Sequence, residues 1–459
     1  MDHMRRGLTA TSIIAGTLLA GCSGGESAGR GGPTFHKDVA PILQESCVSC
    51  HAPGKVAPFA LTAYADAKAV SGAIVAETVA RRMPPWGAFE TDECRPPAAI
   101  RGDMHLRLEE IATLEAWDAA GAPEGDPADA PPGEEPPPEG LAGFDREVQP
   151  EEPFTASGAK DQLRCFVIDP DFTETMFVNA YKVVPGNPEV VHHALVFIDP
   201  QRQSEGKMDE HGGYDCFGGP GVQGATLLGG WAPGMTAAEY RPDMGAPIPA
   251  HALLVMQIHY HATGAAAAPD LTRIQLRFSE GKPAYRLDFG LLGNESGPRP
   301  GGDGLLPGPG DERGVTFRIP ADAPGHVERI RYTIPSIPSP FRVLGLAPHM
   351  HYLGTDMKVV ISHAEPGSGP AEECLLQVPQ WDFNWQRLYL YDTPLEALPE
   401  LRSGDVLDLR CTYDNTMGNP FLARALGEQH LAAPIDVTLG EGTLDEMCLA
   451  GLPLVRQNL

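Results

Sequence analysis

Two cysteines and a histidine form the run Cys47-Val48-Ser49-Cys50-His51 near the start of the chain. C-x-x-C-H is the pattern by which c-type haem is attached, through two thioether bonds from the cysteines to the porphyrin. His51 would then bind the iron from its proximal side. A redox-active C-x-x-C is the alternative, but it does not need the histidine and is typical of a βαβ unit, whereas the pattern here is helical. We therefore expect one covalently bound haem c.

The other axial ligand of this haem has three candidates. Met83, in RRMPPW, is the first choice because thioether ligation raises the reduction potential and suits electron transfer. Met104 and His105 are the competitors. The stretch from FHKDVAPILQESCVSCHAPG through RRMPPW to EEIATLEAWDAAGAPEGDP resembles a cytochrome c-like domain found fused to bacterial redox enzymes, which supports Met83.

Four further polar clusters interrupt runs that otherwise look like apolar β-strands. They are His192-His193 in VVHHALVF, QIHYH at 257–261, PHMH at 348–351 and DEMC at 445–448. Residues two apart share a strand face, so His349 and His351 would present paired imidazoles. Three such clusters among only 15 histidines predict metal binding. Imidazole ligands suit zinc, copper, iron or nickel, and these motifs contain no carboxylate that would favour a 2-His-1-carboxylate iron site.

His192 and His193 pose a geometric problem, because successive side chains of a regular strand point to opposite faces. A β-bulge or a strand end would let both rings reach one metal ion. We therefore predict an irregular strand at this position.

The order of the clusters is more specific than any one of them. HH, then Q-[VI]-H-Y, then H-x-H, then D-E-M-C resembles the type II copper, ascorbate-dependent monooxygenases, which include peptidylglycine α-hydroxylating monooxygenase and dopamine β-monooxygenase. The resemblance covers roughly residues 150–459 and implies two jelly-roll-like β domains with one copper ion each, facing each other across a water-filled cleft. The implied ligands are His192, His193 and His259 for an electron-relay copper, and His349, His351 and Met447 for the copper that binds oxygen. Gln257 matches a family glutamine beside the relay copper, whereas His261 has no metal role in the family pattern.

The resemblance implies hydroxylation of a C–H bond of a small organic substrate with O2, each copper supplying one electron. Family members take electrons from ascorbate; in this chain an external donor, either ascorbate or a redox protein, would reduce the haem, and the haem would reduce the relay copper. A non-catalytic copper and haem electron-transfer lipoprotein is the alternative. A zinc hydrolase is a third hypothesis, but it lacks a clear catalytic carboxylate in the motifs and does not explain Met447.

Two substrate-binding residues of the family are missing. The peptide-amidating branch has an arginine two positions before its H-x-H motif, where this chain has Ala347, and a tyrosine four positions after the ligand methionine, where it has Gly451. A peptidylglycine substrate is therefore not expected, and the substrate would be uncharged or differently anchored.

The chain has nine cysteines, of which six remain once Cys47, Cys50 and Cys22 are assigned. The family resemblance implies disulfides Cys165–Cys216 and Cys411–Cys448. Cys94 and Cys374 are left, and a bond between them would tie the haem domain to the copper-binding region, although their spacing alone does not decide it.

Residues 1–22 have two arginines, an apolar run and the ending Leu19-Ala20-Gly21-Cys22, which predicts an export signal. The ending resembles a bacterial lipobox, so Cys22 would be lipidated and residues 23–33 would form a flexible tether. An ordinary cleaved signal is the alternative. We expect a membrane-tethered lipoprotein of the bacterial periplasm or cell surface, where disulfides persist.

The remaining chain must position these residues. Helical periodicity over 34–126 predicts a small α-helical cytochrome c domain, and the Pro-, Gly- and acid-rich stretch 127–149 predicts a linker. Short strand-like runs then predict a mainly β protein with two antiparallel β-sandwich domains, 150–292 and 293–459. The net charge of −27 argues against nucleic-acid binding, because no basic stripe is available to displace counterions.

Overall fold

A computed structural model describes residues 32–458 except 54–56, 133–139, 158–160, 217–218, 233–234, 261–267, 368, 441 and 443. Cys22, the predicted signal, most of the predicted tether and His261 therefore lie outside the described residues. Within the described part, strands dominate after Arg146 and helices precede it, so the prediction of a mainly β protein with a small helical N-terminal unit is confirmed. No helix in those ranges is long and apolar enough to cross a membrane.

The helical unit contains four α-helices around one apolar core. They are α1 (Ala40–Ser46), α2 (Tyr64–Ala69), α3 (Ser71–Val79) and α4 (Leu108–Ala119), preceded by a π-helical turn, Phe35–Val39. Helix α4 buries Ile111, Leu114 and Trp117, whose spacing of three places them on one face. The indole N–H of Trp117 donates to the carbonyl of Pro123 at 3.0 Å, so the residues after α4 close over this core.

The first sandwich is built from two sheets. Its strands are β1 (Arg146–Val148), β2 (Gln162–Ile168), β3 (Met176–Val184), β4 (Val191–Asp199), β5 (Gly213–Asp215), β6 (Thr226–Trp231), β7 (Ala238–Glu239), β8 (Met244–Ile248), β9 (Leu253–Tyr260) and β10 (Arg273–Phe278). One sheet has the order β5-β2-β9-β4-β6, and the strands β1, β10, β3 and β8 belong to the other. Buried apolar side chains from both sheets, including Phe166, Val178 and Met256, form the core between them.

The second sandwich follows. Its elements are β11 (Tyr285–Gly293), β12 (Gly304–Leu305), β13 (Arg318–Ile319), β14 (Ala323–Thr333), β15 (Phe341–Val343), β16 (Gly345–His349), β17 (Gly354–Ser362), β18 (Glu372–Val378), β19 (Tyr389–Leu390), β20 (Glu400–Leu401), β21 (Val406–Asn415), α5 (Pro420–Glu428), β22 (Val437–Thr438) and β23 (Leu449–Gln457). One sheet has the order β12-β14-β21-β17-β18, and β21 alternates half-buried and buried residues along its length, as expected when one strand face lies on a core.

The two sandwiches share an 11-stranded sheet. Strand β11 pairs with β23 along all of Tyr285–Gly293, but it meets β8 through only two residue pairs, Tyr285 with Met244 and Arg286 with Gly245. The predicted boundary between residues 292 and 293 therefore assigns nearly all of β11 to the first sandwich. By its pairing, however, β11 belongs mainly to the second sandwich.

Three disulfides brace the described chain, namely Cys165–Cys216, Cys411–Cys448 and Cys94–Cys374. The first links β2 to the segment after β5, and the second links β21 to the residue before β23. The third joins the segment that precedes α4 to β18 and thus ties the helical unit to the second sandwich.

Candidate metal centre

The three histidines of the predicted relay site converge at the end of strands β4 and β9. The pairing of these strands passes from Val191 with Tyr260 to His193 with His259, so His192 is an extra residue in β4. The predicted irregularity is confirmed, and it places both rings on one side: Nδ1 of His192 lies 3.2 Å from Nδ1 of His193. One ligand nitrogen from each of the three rings lies within 4.8 Å of the others.

This spacing fits a bound metal ion. Two imidazole nitrogens on one tetrahedral ion at ~2.0 Å would lie about 3.3 Å apart. Burial lowers the pKa of His193 well below its usual range, and the neighbouring rings of His259 and His192 lower it further. The imidazole is therefore neutral, which is the form that binds metal.

His349 and His351 form the second histidine set, at the end of β16. Nδ1 of His349 lies 2.6 Å from Oε1 of Gln386, and Nδ1 of His351 lies 2.9 Å from the carbonyl oxygen of Asp445. Each oxygen accepts a hydrogen bond from an Nδ1–H, so each ring keeps Nε2 unprotonated for a ligand. Burial lowers the pKa of His349, and burial together with His349 lowers the pKa of His351 to about 3.

Met447 is held next to His351 by a buried carboxylate. Glu446 accepts the backbone N–H groups of His351 at 2.8 Å, Leu353 at 2.8 Å and Met447 at 2.9 Å. Burial raises the pKa of Glu446 to about 8, although these hydrogen bonds act in the opposite direction. Met447 is buried, and its side chain borders the same cavity as His349 and His351. All three predicted ligands of the second set therefore border one cavity.

The two histidine sets lie in contact. The ring centroids of His193 and His349 are 6.2 Å apart. Phe383 bridges the sets: its ring stacks on His192 at 5.0 Å and meets His351 edge-on at 6.2 Å. Phe383 therefore occupies part of the space between the two histidine sets.

Two further side chains support the relay set. Oδ2 of Asp161 lies 3.1 Å from Nε2 of His259 and orients that ring. Gln257, on the same face of β9 as His259, is buried, borders the cavity and donates to Sγ of Cys216 at 3.5 Å. Gln257 thus lies beside the relay histidines as predicted from its spacing.

Sequence reasoning missed four residues of this centre, which are Asp161, Phe383, Gln386 and Glu446. Of these four, only Glu446 lies in a motif recognised in the sequence, DEMC at 445–448. The others come from segments without a recognisable motif.

A cavity of about 760 Å³ adjoins both sets and lies between the sandwiches. Its wall near Met447 contains Ala347, Gly451 and Phe289. A Cβ added to Gly451 would lie 2.6 Å from Cε1 of Phe289, so the phenylalanine ring occupies the space beside this glycine. The wall at the two positions where the peptide-amidating branch has polar side chains is thus apolar.

The two cysteines of the C-x-x-C-H motif are not joined to each other by a disulfide. Cys47 and Cys50 are both free thiols, and burial raises the pKa of Cys47 to about 12. Nδ1 of His51 lies 3.1 Å from the carbonyl oxygen of Phe59, which accepts a hydrogen bond from the Nδ1–H and leaves Nε2 without a proton. The indole N–H of Trp86 is buried and has no hydrogen-bond partner among the described residues.

The candidates for the other axial ligand differ in their surroundings. The sulfur of Met104 lies 4.0 Å from Oγ of Ser49, inside the C-x-x-C-H motif. Both ring nitrogens of His105 are engaged, Nδ1 with Asp103 at 2.8 Å and Nε2 with the carbonyl of Trp86. Met83 is 41% exposed. His105 is thus the candidate least available to iron.

Comparisons with known proteins give no family. No family model matches the chain, and no curated protein matches it. Solved structures that align with it include cowpea mosaic virus top component empty particles, at 11% identity and a TM-score of 0.24, covering 68% of this chain and 87% of that one. Infectious bursal disease virus VP2 subviral particle aligns at 9% identity and a TM-score of 0.14, covering 68% and 80%. Both scores are too low to establish a shared fold.

Proposed function

We propose that this protein is a copper-dependent monooxygenase that hydroxylates a C–H bond of a small organic substrate with O2, using electrons delivered through a haem c. The observation that carries the proposal is the cluster of His192, His193 and His259, of which His193 and His259 border the same cavity as His349 and Met447. These residues come from four separate motifs whose order resembles the type II copper monooxygenases.

The donor set favours copper over zinc. Neutral imidazoles bind both metals, but the thioether of Met447 is a soft ligand that stabilises Cu(I). When bound, copper in each set would supply one of the two electrons that insertion of an oxygen atom into a C–H bond requires. The nearby Asp161 is engaged by His259, so it is not a free general base for hydrolysis by zinc.

The protein's own groups prepare this chemistry. Gln386 and the carbonyl of Asp445 fix the ring orientations of His349 and His351, and burial keeps both rings neutral. Phe289, Ala347 and Gly451 form an apolar part of the cavity wall, against which a C–H group could pack. The site thus suits an uncharged organic substrate.

The N-terminal unit would supply the electrons. Cys47 and Cys50 would hold the porphyrin, and His51 would bind the iron together with Met83 or Met104. The haem would serve as a one-electron carrier between an external donor and the copper centre.

The three disulfides indicate an oxidising, exported environment. We further propose that Cys22 carries the lipid that anchors the protein to a bacterial membrane. Mass spectrometry of the purified N-terminal peptide would test this, and an unmodified mature N-terminus other than Cys22 would contradict it.

The deciding experiment compares Met447→Leu with Met350→Leu. Both changes conserve volume, but Met350 lies in the core against Gly354, whereas Met447 borders the cavity. We expect wild-type protein to bind two copper ions and one haem, and a C–H substrate screen to reveal oxygen uptake coupled to a hydroxylated product. Met447→Leu should abolish the product and the sulfur signal in copper X-ray absorption, while Met350→Leu retains both.

Two results would contradict the proposal. Two zinc ions and no copper in freshly purified protein would favour the hydrolase. Bound copper and haem that undergo reduction without any oxygen-dependent product would favour a non-catalytic electron-transfer protein.

A further inference from the structure

The helical unit is attached to the second sandwich by one segment, residues 87–101, which we term the docking segment. Cys94 in this segment forms the disulfide with Cys374 of β18. Glu93 forms ion pairs with Lys358 at 3.0 Å and Arg410 at 2.8 Å, on strands β17 and β21. The docking segment therefore lies on the sandwich that carries His349, His351 and Met447.

The end of the docking segment continues this contact along β19. Arg101 N–H donates to the carbonyl of Leu390 at 2.7 Å, and Asp392 N–H donates to the carbonyl of Ala99 at 2.8 Å. Arg101 also donates from Nη1 to the carbonyl of Glu239 at 3.0 Å, in β7 of the first sandwich. Strand β7 belongs to the 11-stranded sheet and not to the sheet that carries the relay histidines.

The start of the docking segment meets Tyr389. A Cβ on Gly87 would overlap the hydroxyl oxygen of Tyr389, so this hydroxyl lies directly against the glycine backbone, and it accepts the N–H of Ala88. On the other side of Gly87, Trp86 packs against His105, with ring centroids 4.7 Å apart. His105 follows Met104, whose sulfur contacts the C-x-x-C-H motif.

Tyr389 also lies close to the second histidine set. It pairs with Leu346 in β16, the strand that ends at His349. Three residues before Tyr389, Gln386 accepts the hydrogen bond from Nδ1 of His349 at 2.6 Å. The run 386–389 therefore touches the helical unit at one end and a predicted copper ligand at the other.

The relay histidines lie in a different sheet from β7, the strand of the first sandwich that Arg101 contacts. Among the residues that the structure describes, no hydrogen bond joins the helical unit to β4 or β9, the strands of His192, His193 and His259. The relay rings instead contact the second set, through His193 and His349.

We propose that electrons from the haem enter the copper centre at the His349, His351 and Met447 set, by way of Tyr389 and Gln386, and reach the relay set only afterwards. This inference rests on the proposed function and reverses the order expected from the sequence, in which the haem reduces the relay copper. In the step, ferrous haem loses one electron and becomes ferric, and Cu(II) in the second set gains it and becomes Cu(I); no bond breaks. An external one-electron donor then reduces the haem again.

The test uses the full chain loaded with haem and Cu(II), without oxygen. The haem is reduced by a laser-triggered donor, its reoxidation is followed by absorbance, and the copper that remains oxidised is identified by electron paramagnetic resonance. We expect His193→Ala to retain haem reoxidation at the wild-type rate and His349→Ala to lose it. The inference would be overturned if haem reoxidation were lost in His193→Ala but retained in His349→Ala. It would also be overturned if the copper of the wild-type protein never reoxidised the ferrous haem.

A second comparison avoids the ligands. Tyr389→Phe removes the hydroxyl that meets Ala88, whereas the matched control Tyr391→Phe removes a hydroxyl that donates to the carbonyl of Leu375 at 2.6 Å, inside the second sandwich. We expect reoxidation to slow several-fold in Tyr389→Phe, with an unchanged haem potential, and to keep its wild-type rate in Tyr391→Phe. Equal rates in the two variants would overturn the route through Tyr389. Protein that binds no haem or no copper would instead contradict the proposed function.

Discussion

Glu446 provides a sharp test of how this centre is held together. Its carboxyl group is fully buried and accepts backbone N–H groups from the segment between β16 and β17 and from Met447, just before β23. Oε2 serves His351 and Met447, and Oε1 serves Leu353. We predict that Glu446→Gln lowers both the free energy of unfolding and the copper affinity of this set.

At a pH above about 8, where the carboxyl group is ionised, the magnitude follows from the number of acceptors lost. Glutamine keeps one oxygen, and its amide nitrogen can only donate. If the oxygen faces His351 and Met447, the N–H of Leu353 loses its acceptor; in the opposite orientation the N–H groups of His351 and Met447 lose theirs. A buried N–H without an acceptor costs about 1–3 kcal/mol, so the free energy of unfolding should fall by about 1–6 kcal/mol. Loss of a partner that orients metal ligands typically weakens metal binding by about 10–100-fold.

Glu328→Gln is the matched control. Glu328 is also buried in the second sandwich, but it binds His326 at 2.8 Å and does not border the cavity. Urea denaturation should show a loss of stability in both variants, and chelator competition should show weaker copper binding only in Glu446→Gln. Wild-type copper affinity in a destabilised Glu446→Gln would refute the positioning role, and unchanged stability would refute the count of lost acceptors.

Three further predictions concern the centre and its frame. Metal analysis of His192→Ala should find one copper ion per chain instead of two. His211→Ala, at a side chain that is 62% exposed, should retain both copper ions. Equal copper contents in the two variants would contradict the relay site. Gly451→Ala should lower the free energy of unfolding by about 1–3 kcal/mol, because its Cβ would lie 2.6 Å from a phenylalanine ring. Gly427 lies in α5, where no atom lies within 4 Å of an added Cβ, so Gly427→Ala should raise the free energy of unfolding by about 0.5–1 kcal/mol. If both glycine variants changed the free energy of unfolding in the same direction, this comparison would be refuted. Replacing both Cys94 and Cys374 by serine should lower the free energy of unfolding by about 2–5 kcal/mol. An unchanged midpoint of urea denaturation would contradict this prediction.

Local patterns predicted much of this protein. Apolar runs between turn residues indicated the strands, and the adjacent histidines in VVHHALVF required an irregular strand, which the pairing of β4 and β9 contains. The spacing of His349 and His351 predicted neighbouring rings, and the ring centroids lie 5.2 Å apart, although β16 ends at His349 and His351 follows it. These inferences succeeded because side-chain direction along a strand depends only on position in the chain.

Residues that contact the histidines only through long-range packing could not be predicted from the sequence. Asp161, Phe383 and Gln386 lie in segments without a motif, and each meets its histidine only because separate strands pair and pack. The predicted boundary at residue 292 shows the same limit. Apolar alternation identifies β11 as a strand but does not reveal that its partner is β23, more than 150 residues later.

The amino-acid sequence alone determined the mainly β class and the chemical types that the centre contains, because composition and periodicity are local properties. Only the tertiary structure decided that the two histidine sets touch and that the helical unit docks on the sandwich of His349. Both facts depend on which sheets share strands and which surfaces are buried together. Those choices reflect the packing of the whole chain, which no single segment encodes.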